Sequence, residues 1–237
     1  MSEAKYDFKT GEVILVDKPL HWTSFDVVNK LRWKLKKQYN VKKMKVGHAG
    51  TLDPLATGLL IICTGKKTKI SQELTADDKT YTGTFLIGKT TPSFDLETEY
   101  NKTYPTDHIN DELMNKVVEE FLGEQLQTPP VFSAKKIDGK RAYESARQGK
   151  HVEMRQNLIH IHNFTIDSKD FPKVHFEIKC SKGTYIRSIA HDFGKKMGSG
   201  ACLIALRRTQ SGEFSINEAK SVDEWLEIIE ETTVPND

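Results

Sequence analysis

Apolar residues recur along this chain at two spacings, and the change of spacing marks where strands give way to helices. Val13–Val16 is a short apolar run stopped by Pro19, which predicts a strand. Thr23 or Ser24 is placed to cap a helix over Phe25–Lys36, with Val27, Val28, Leu31 and Leu35 on its apolar face. Leu59–Cys63 is an unbroken apolar strand, and Thr80–Ile87 alternates as a strand does. Asp111–Leu122 is amphipathic at helical spacing, with Leu113, Val117, Val118 and Phe121 expected inward. Two further strands are predicted, Leu158–Ile166 and Val174–Cys180, the second a clean period of two. Gly183 then turns the chain into a helix from about Tyr185; a last strand follows over Leu203–Phe214 and an acidic helix near Asp223–Glu230. Strands and helices in no strict alternation predict an α+β fold with a mixed or antiparallel sheet.

Composition narrows the class. At 237 residues, 37% hydrophobic, the chain has the length for one large domain and the apolar residues for a real core. It has no run of about 18 apolar residues and its charged N-terminus lacks the apolar stretch of a secretory signal, so a cytoplasmic protein is expected. Cys63, Cys180 and Cys202 are scattered without metal spacing and read as reduced core thiols.

Charge adds a polarity that the net value of +2 conceals. Glu213–Asp237 holds eight acids and one lysine, so the rest of the chain carries +9. Lys30–Lys45 holds eight basic residues and no acid, and Thr128–Gln156 seven basic residues against three acids. Either segment alone fits a solvated helix face. Together, interleaved with Trp33, Tyr39, Phe132 and Tyr143, they suit a polyanion backbone.

Most candidate chemistry falls away on inspection. The stretch Thr64–Thr68 (TGKKT) resembles a phosphate loop, but Leu60 stands where that motif needs glycine. His160 and His162 alternate on a strand without Cys or Asp partners, which favours a solvated face over zinc. No serine nucleophile elbow is present, and neither metal nor cofactor is expected. Asp53 stands apart. Pro54 keeps it out of the helical region, and Gly47, Gly50 and Gly58 allow sharp bends or close approach of a ligand. A carboxylate so fixed can be a nucleophile or base if a cation keeps it charged; a turn acid before a strand fits equally well.

The stretch GHAGTLDPLATGLLIICTG, Gly47–Gly65, resembles the catalytic motif of the TruB family of tRNA pseudouridine synthases. In the family's order, DKP (Asp17–Pro19), DKTYTG (Asp78–Gly83), CSKGTYIRSIAHDFG (Cys180–Gly194) and ALRRTQSGEF (Ala205–Phe214) resemble its other motifs. Thr128–Lys150 resembles the thumb that clasps an RNA stem-loop. The resemblance implies one pseudouridine synthase catalytic domain over 1–237, with a mostly antiparallel central sheet flanked by helices and a thumb-like insertion at 124–156. Residues 215–237 are expected to form an acidic helix, being too few for the PUA-type domain of many members.

The implied activity is isomerisation of a T-loop uridine of tRNA (the uridine-55 type) to pseudouridine, by base flipping, with neither cofactor nor metal. No obligate protein partner is implied; a guide-RNA-directed synthase or a non-catalytic RNA-folding module is the less favoured alternative. By resemblance Asp53 is the essential acid, attacking the sugar carbon or the base, or removing a sugar proton, and Arg187 is its cationic partner. Tyr81 would stack on the extruded uracil and Tyr185 would help move the proton at carbon 5. Lys18 and Pro19 would border the pocket, Leu206 would line it, and His48 would occupy space left by flipped bases. Lys135, Lys136, Lys140 and Arg141 of the thumb, with the Lys30–Lys45 segment, would hold phosphates. Two departures stand out: His21 lies where the family often has glycine, and the loop after Tyr81 keeps Asp95 but has Pro92 at the place of another acid.

Overall fold

The computed structural model describes residues 6–132, 136–137, 140–141 and 154–233. In chain order the elements are β1 (Val13–Lys18), α1 (Ser24–Gln38), β2 (Val46–Ala49), β3 (Ala56–Thr64), α2 (Ser71–Thr75), β4 (Lys79–Ile87), β5 (Lys89–Thr90), β6 (Lys102–Thr103), α3 (Asp111–Phe121) and β7 (Gly123–Gln127). There follow β8 (Lys136–Ile137), β9 (Lys140–Arg141), β10 (Asn157–Asp167), β11 (Lys173–Cys180), α4 (Ile186–Lys196), β12 (Ala201–Ser211), β13 (Phe214–Ser215), β14 (Lys220–Ser221) and α5 (Val222–Glu231). The chain divides into two compact units, one of residues up to 79 together with 207 onward, the other of residues 80–206.

In the first unit β1 lies between β14, parallel to it, and β3, antiparallel to it; β2 pairs with β3. Leu59–Cys63 is fully buried, which is why its sequence runs apolar without alternation. Thr23 caps α1 with a reciprocal Asp26 capping box, and the expected row Val27, Val28, Leu31 and Leu35 is buried. The acidic α5 packs beside α1: Lys34 Nζ meets Glu230 at 2.5 Å, and Trp225 donates from its indole to the Leu15 carbonyl at 2.8 Å.

The second unit sets β4, β11, β10 and β7 side by side. Its core is aromatic, with Phe85 stacked on Phe176 at 4.2 Å between ring centres and Phe164, Phe193 and Phe121 around them. Gly83 is required there, because a Cβ would lie 2.3 Å from the Ala205 carbonyl oxygen. The mixed sheets and flanking helices are the α+β class that the sequence predicts. One local expectation is corrected. Met114 rather than Leu113 joins Val117, Val118 and Phe121 inward, since that row keeps the i, i+3, i+4, i+7 spacing. A bulge lies between Ile161 and Asn163 in β10, where the rings of His160 and His162 stand 4.5 Å apart.

Candidate active site

Of the residues singled out by sequence, Lys18, Pro19, His48 and Asp53 belong to the first unit, and Tyr81, Tyr185, Arg187 and Leu206 to the second. Asp53 is half-buried on the loop from β2 to β3. Both neighbours of that carboxylate are tied to the start of α1. Leu52 exchanges two hydrogen bonds with the Ser24 hydroxyl, its N–H donating at 2.8 Å and its carbonyl accepting at 3.1 Å. The Pro54 carbonyl accepts from His21 N–H at 2.8 Å, and Asp53's own carbonyl closes a turn on Ala56 N–H at 3.0 Å. His21 reaches that position with φ of 67°. It thus takes the left-handed backbone that glycine favours, so the departure at position 21 keeps a glycine-like turn.

Two buried cations flank this loop. Lys18 is fully buried and donates to the carbonyls of Pro19 and Trp22 at 2.9 and 2.6 Å. Burial lowers its pKa to about 8, opposed by the negative charges of Asp53 and Asp26, so the ammonium and the Asp53 carboxylate feel one another. Pro19 itself is exposed. Arg208 is 1% exposed; its Nε donates to the Leu59 carbonyl at 2.7 Å and its Nη2 to the Gly50 carbonyl at 3.0 Å. It therefore pins the glycine-rich stretch to β3. At Gly58, φ is +101° and a Cβ would come within 2.3 Å of the Arg208 carbonyl oxygen, so glycine is needed for close packing rather than for a ligand. The adjacent Arg207 grips Asp17 with both terminal nitrogens, at 3.0 and 2.7 Å.

His48 lies in β2, half-buried, and its Nδ1 has no hydrogen-bond partner among the described residues. Burial first, then the Arg208 charge, push its imidazole below the usual value. Both effects favour the neutral ring, the form suited to stacking.

The second unit handles its charges differently. Arg187, in the first turn of α4, is 3% exposed; its Nη1 lies 3.6 Å from Asp95 Oδ2 and donates to the Phe132 carbonyl at 2.9 Å. Asp95 is 4% exposed and sits in a tightly bonded loop. Its carbonyl accepts from the hydroxyls of Thr91 and Ser93, and its Oδ1 from Glu97 N–H. Phe94, at φ 67°, stacks on His191 at 4.0 Å and its carbonyl accepts from Leu203 N–H. Tyr185 is the residue before α4, held by Gln127, whose amide accepts from Tyr185 N–H at 2.8 Å and donates to its carbonyl at 3.0 Å. Tyr81 is buried in β4, and Leu206 is half-buried in β12.

Of the thumb cations, Lys135 lies outside the described residues. For Lys136, Lys140 and Arg141 the backbone pairing is described, Lys136 opposite Arg141 and Ile137 opposite Lys140. Of the eight cations in Lys30–Lys45, Lys34 is already engaged by Glu230.

Two residues went unassigned in the sequence reading. Arg208 sits in an RR pair that looks like surface charge; its parity with Leu206 along one strand is the signal that places it inward. Asp95 is visible as an acid in the sequence, but its pairing with Arg187, 92 positions away, has no local signature.

Comparisons with known proteins converge. Residues 36–186 match the family model of the TruB family pseudouridylate synthase N-terminal domain, and residues 187–233 that of the tRNA pseudouridylate synthase B C-terminal domain. The chain is 54% identical over 214 residues to a tRNA pseudouridine synthase B from Flavobacterium johnsoniae, covering 90% of this chain and 93% of that protein. It is 50% identical over 228 residues to one from Parabacteroides distasonis, covering 96% and 97%. Among solved structures, a chain of a Cbf5-Nop10-Gar1 complex superposes with a TM-score of 0.68 at 28% identity, over 94% of this chain and 60% of that one. A chain of an H/ACA RNP bound to a substrate RNA containing 2'-deoxyuridine gives 0.66 at 26%, over 93% and 53%. This chain thus spans little more than half the length of those structural relatives.

Proposed function

We propose, from the premise that the chain belongs to the TruB family of pseudouridylate synthases, that it converts a T-loop uridine of tRNA, of the uridine-55 type, to pseudouridine. The reading is carried by Asp53: the residue that the family resemblance marks as the essential acid is a half-buried carboxylate on a loop tied at Leu52, Asp53 and Pro54. Such fixing is what a reacting group needs, since its orientation is set before substrate arrives. The tRNA substrate is supported by the two named relatives, matched over more than nine-tenths of their length.

In the reaction the bond from the ribose carbon to N1 of uracil breaks, the base turns, and a bond from that carbon to C5 forms; C5 gives up its proton and N1 takes one up, so the product is an isomer of the substrate. Asp53 is the acid that initiates this, with Arg187 as the cation acting on the same uridine. Tyr81 offers a ring face to the flipped uracil, and Tyr185 assists proton transfer at C5. Lys18, Pro19 and Leu206 border the base, and the neutral His48 ring substitutes for lost stacking. Lys135, Lys136, Lys140 and Arg141 hold the stem-loop phosphates. A cytoplasmic enzyme acting without a protein partner follows from the same assignment. A guide-directed synthase is less favoured: identity to the chain of the H/ACA RNP is 26%, against 54% and 50% to the two relatives named tRNA pseudouridine synthase B.

The test is tritium release from tRNA labelled at uridine C5. The wild-type protein is expected to release it alone in solution, and Asp53→Asn to lose more than about 10³-fold in rate while still binding tRNA. Absence of release by the wild-type protein, or near-normal release by the variant, would sink the proposal.

A further inference from the structure

One face of α1 is left largely to solvent. Phe25, Asp26, Asn29, Lys30, Trp33, Lys36 and Lys37 lie on the solvent side of the helix with Arg32 at its flank, and Phe25 and Trp33 are each 60% exposed; Asp26 is the one acid there and is held by the Thr23 cap. A solvated helix face has use for lysines but gains nothing from two large aromatic rings held in water. These rings are paired with cations: Arg32 sits over Phe25 at 6.0 Å and Lys37 over Trp33 at 5.7 Å. Arg32 is further anchored, donating to Asn29 Oδ1 at 2.9 Å and to the Val46 carbonyl at 2.8 Å. The stripe is therefore fastened to β2, the strand that carries His48. It begins at Phe25, next to the Ser24 hydroxyl that holds Leu52, and runs about 18 Å along the helix to Lys37.

We infer that this stripe is a docking surface for RNA, taking unpaired nucleotides of the substrate that lie outside the target stem-loop. Charge selects the occupant: Lys30–Lys45 carries no acid, and Lys30, Lys36, Lys37, Lys42, Lys43 and Lys45 are all exposed. Aromatic faces beside ammonium groups match a ribonucleotide chain, with bases stacking on the rings and phosphates meeting the lysines. The inference rests on the proposed function for the identity of the RNA.

Its test is equilibrium binding, which does not depend on turnover, of full-length tRNA transcript and of the isolated T-stem-loop. Trp33→Ala is expected to weaken full-length tRNA by about 5- to 150-fold, the range of one lost base stack, and to leave the stem-loop within about twofold. Trp33→Phe, which keeps a ring face, restores most of the affinity, whereas Trp33→Leu does not. Equal weakening of both RNAs, no weakening of either, or rescue by Leu as good as by Phe overturns the inference. So does self-association of the wild-type protein that Trp33→Ala abolishes while RNA binding stays unchanged. C5 tritium release by the wild-type protein on the stem-loop, scored separately, tells failure of the proposed function from failure of this surface.

Discussion

The two units hold their buried cations differently. In the first, Lys18 and Arg208 direct their N–H groups at main-chain carbonyls, fixing the backbone and leaving their charge to act on Lys18's neighbour Asp53 and on His48. In the second, Arg187 lies 3.6 Å from Asp95, a carboxylate as buried as itself, as well as donating to the Phe132 carbonyl. The difference separates two jobs. The first unit shapes a loop and its electrostatic surroundings; the second holds a buried guanidinium against a buried carboxylate. Within the first unit, Lys18 is a positive charge that acts on Asp53.

The sharpest way to break this contrast is to remove the answering charge. Asp95→Asn leaves a buried guanidinium uncompensated, and chemical unfolding should show a loss of about 3–5 kcal/mol. The shifted Arg187 should also lower kcat/KM by about 10²-fold. The double variant Asp95→Leu/Arg187→Met should regain most of the stability but none of the activity. If the double variant stays as unstable as the single one, the pair is not what costs the single variant its stability.

A smaller effect is expected in the first unit. Arg208→Met leaves the Leu59 and Gly50 carbonyls without their charged donor, at a cost of about 3 kcal/mol. It also removes a charge that depresses the His48 imidazole, so the His48 titration followed by NMR should move up. An unchanged His48 would detach Arg208 from the electrostatics of that strand.

Much of this was legible beforehand, for identifiable reasons. The buried row of α1, its Thr23 cap and the strand at Leu59–Cys63 follow from spacing that short-range physics imposes. β2 was not foreseen: Val46–Ala49 spans four residues with two glycine or alanine positions, too few to show a period, and it exists because β3 pairs with it. Asp53 could be picked out because glycines and a proline mark it locally, whereas Asp95 and Arg208 acquire their roles only from residues far along the chain. Local punctuation reveals where a loop is rigid; it does not reveal which charges meet there.

The finest test uses Lys18 and turns on the sign of its proton linkage. Its folded pKa, about 8, lies below the ordinary 10.5, so between those values the unfolded chain keeps a proton that the folded chain has released. Burial of the charged ammonium therefore costs stability in full below pH 8, and that cost is relieved as pH rises toward 10.5. Relative to Lys18→Met, the wild-type protein should gain about 2 kcal/mol of unfolding free energy between pH 7.5 and pH 9.5. Activity should move the other way. As the ammonium loses its charge beside Asp53, kcat/KM should fall with a midpoint near pH 8, and Lys18→Met should be slower but flat over the same range. Stability rising while activity falls through one pH window is the mark of a charge retained for chemistry at the expense of the fold; parallel curves would reduce Lys18 to a structural residue and erase the contrast between the two units.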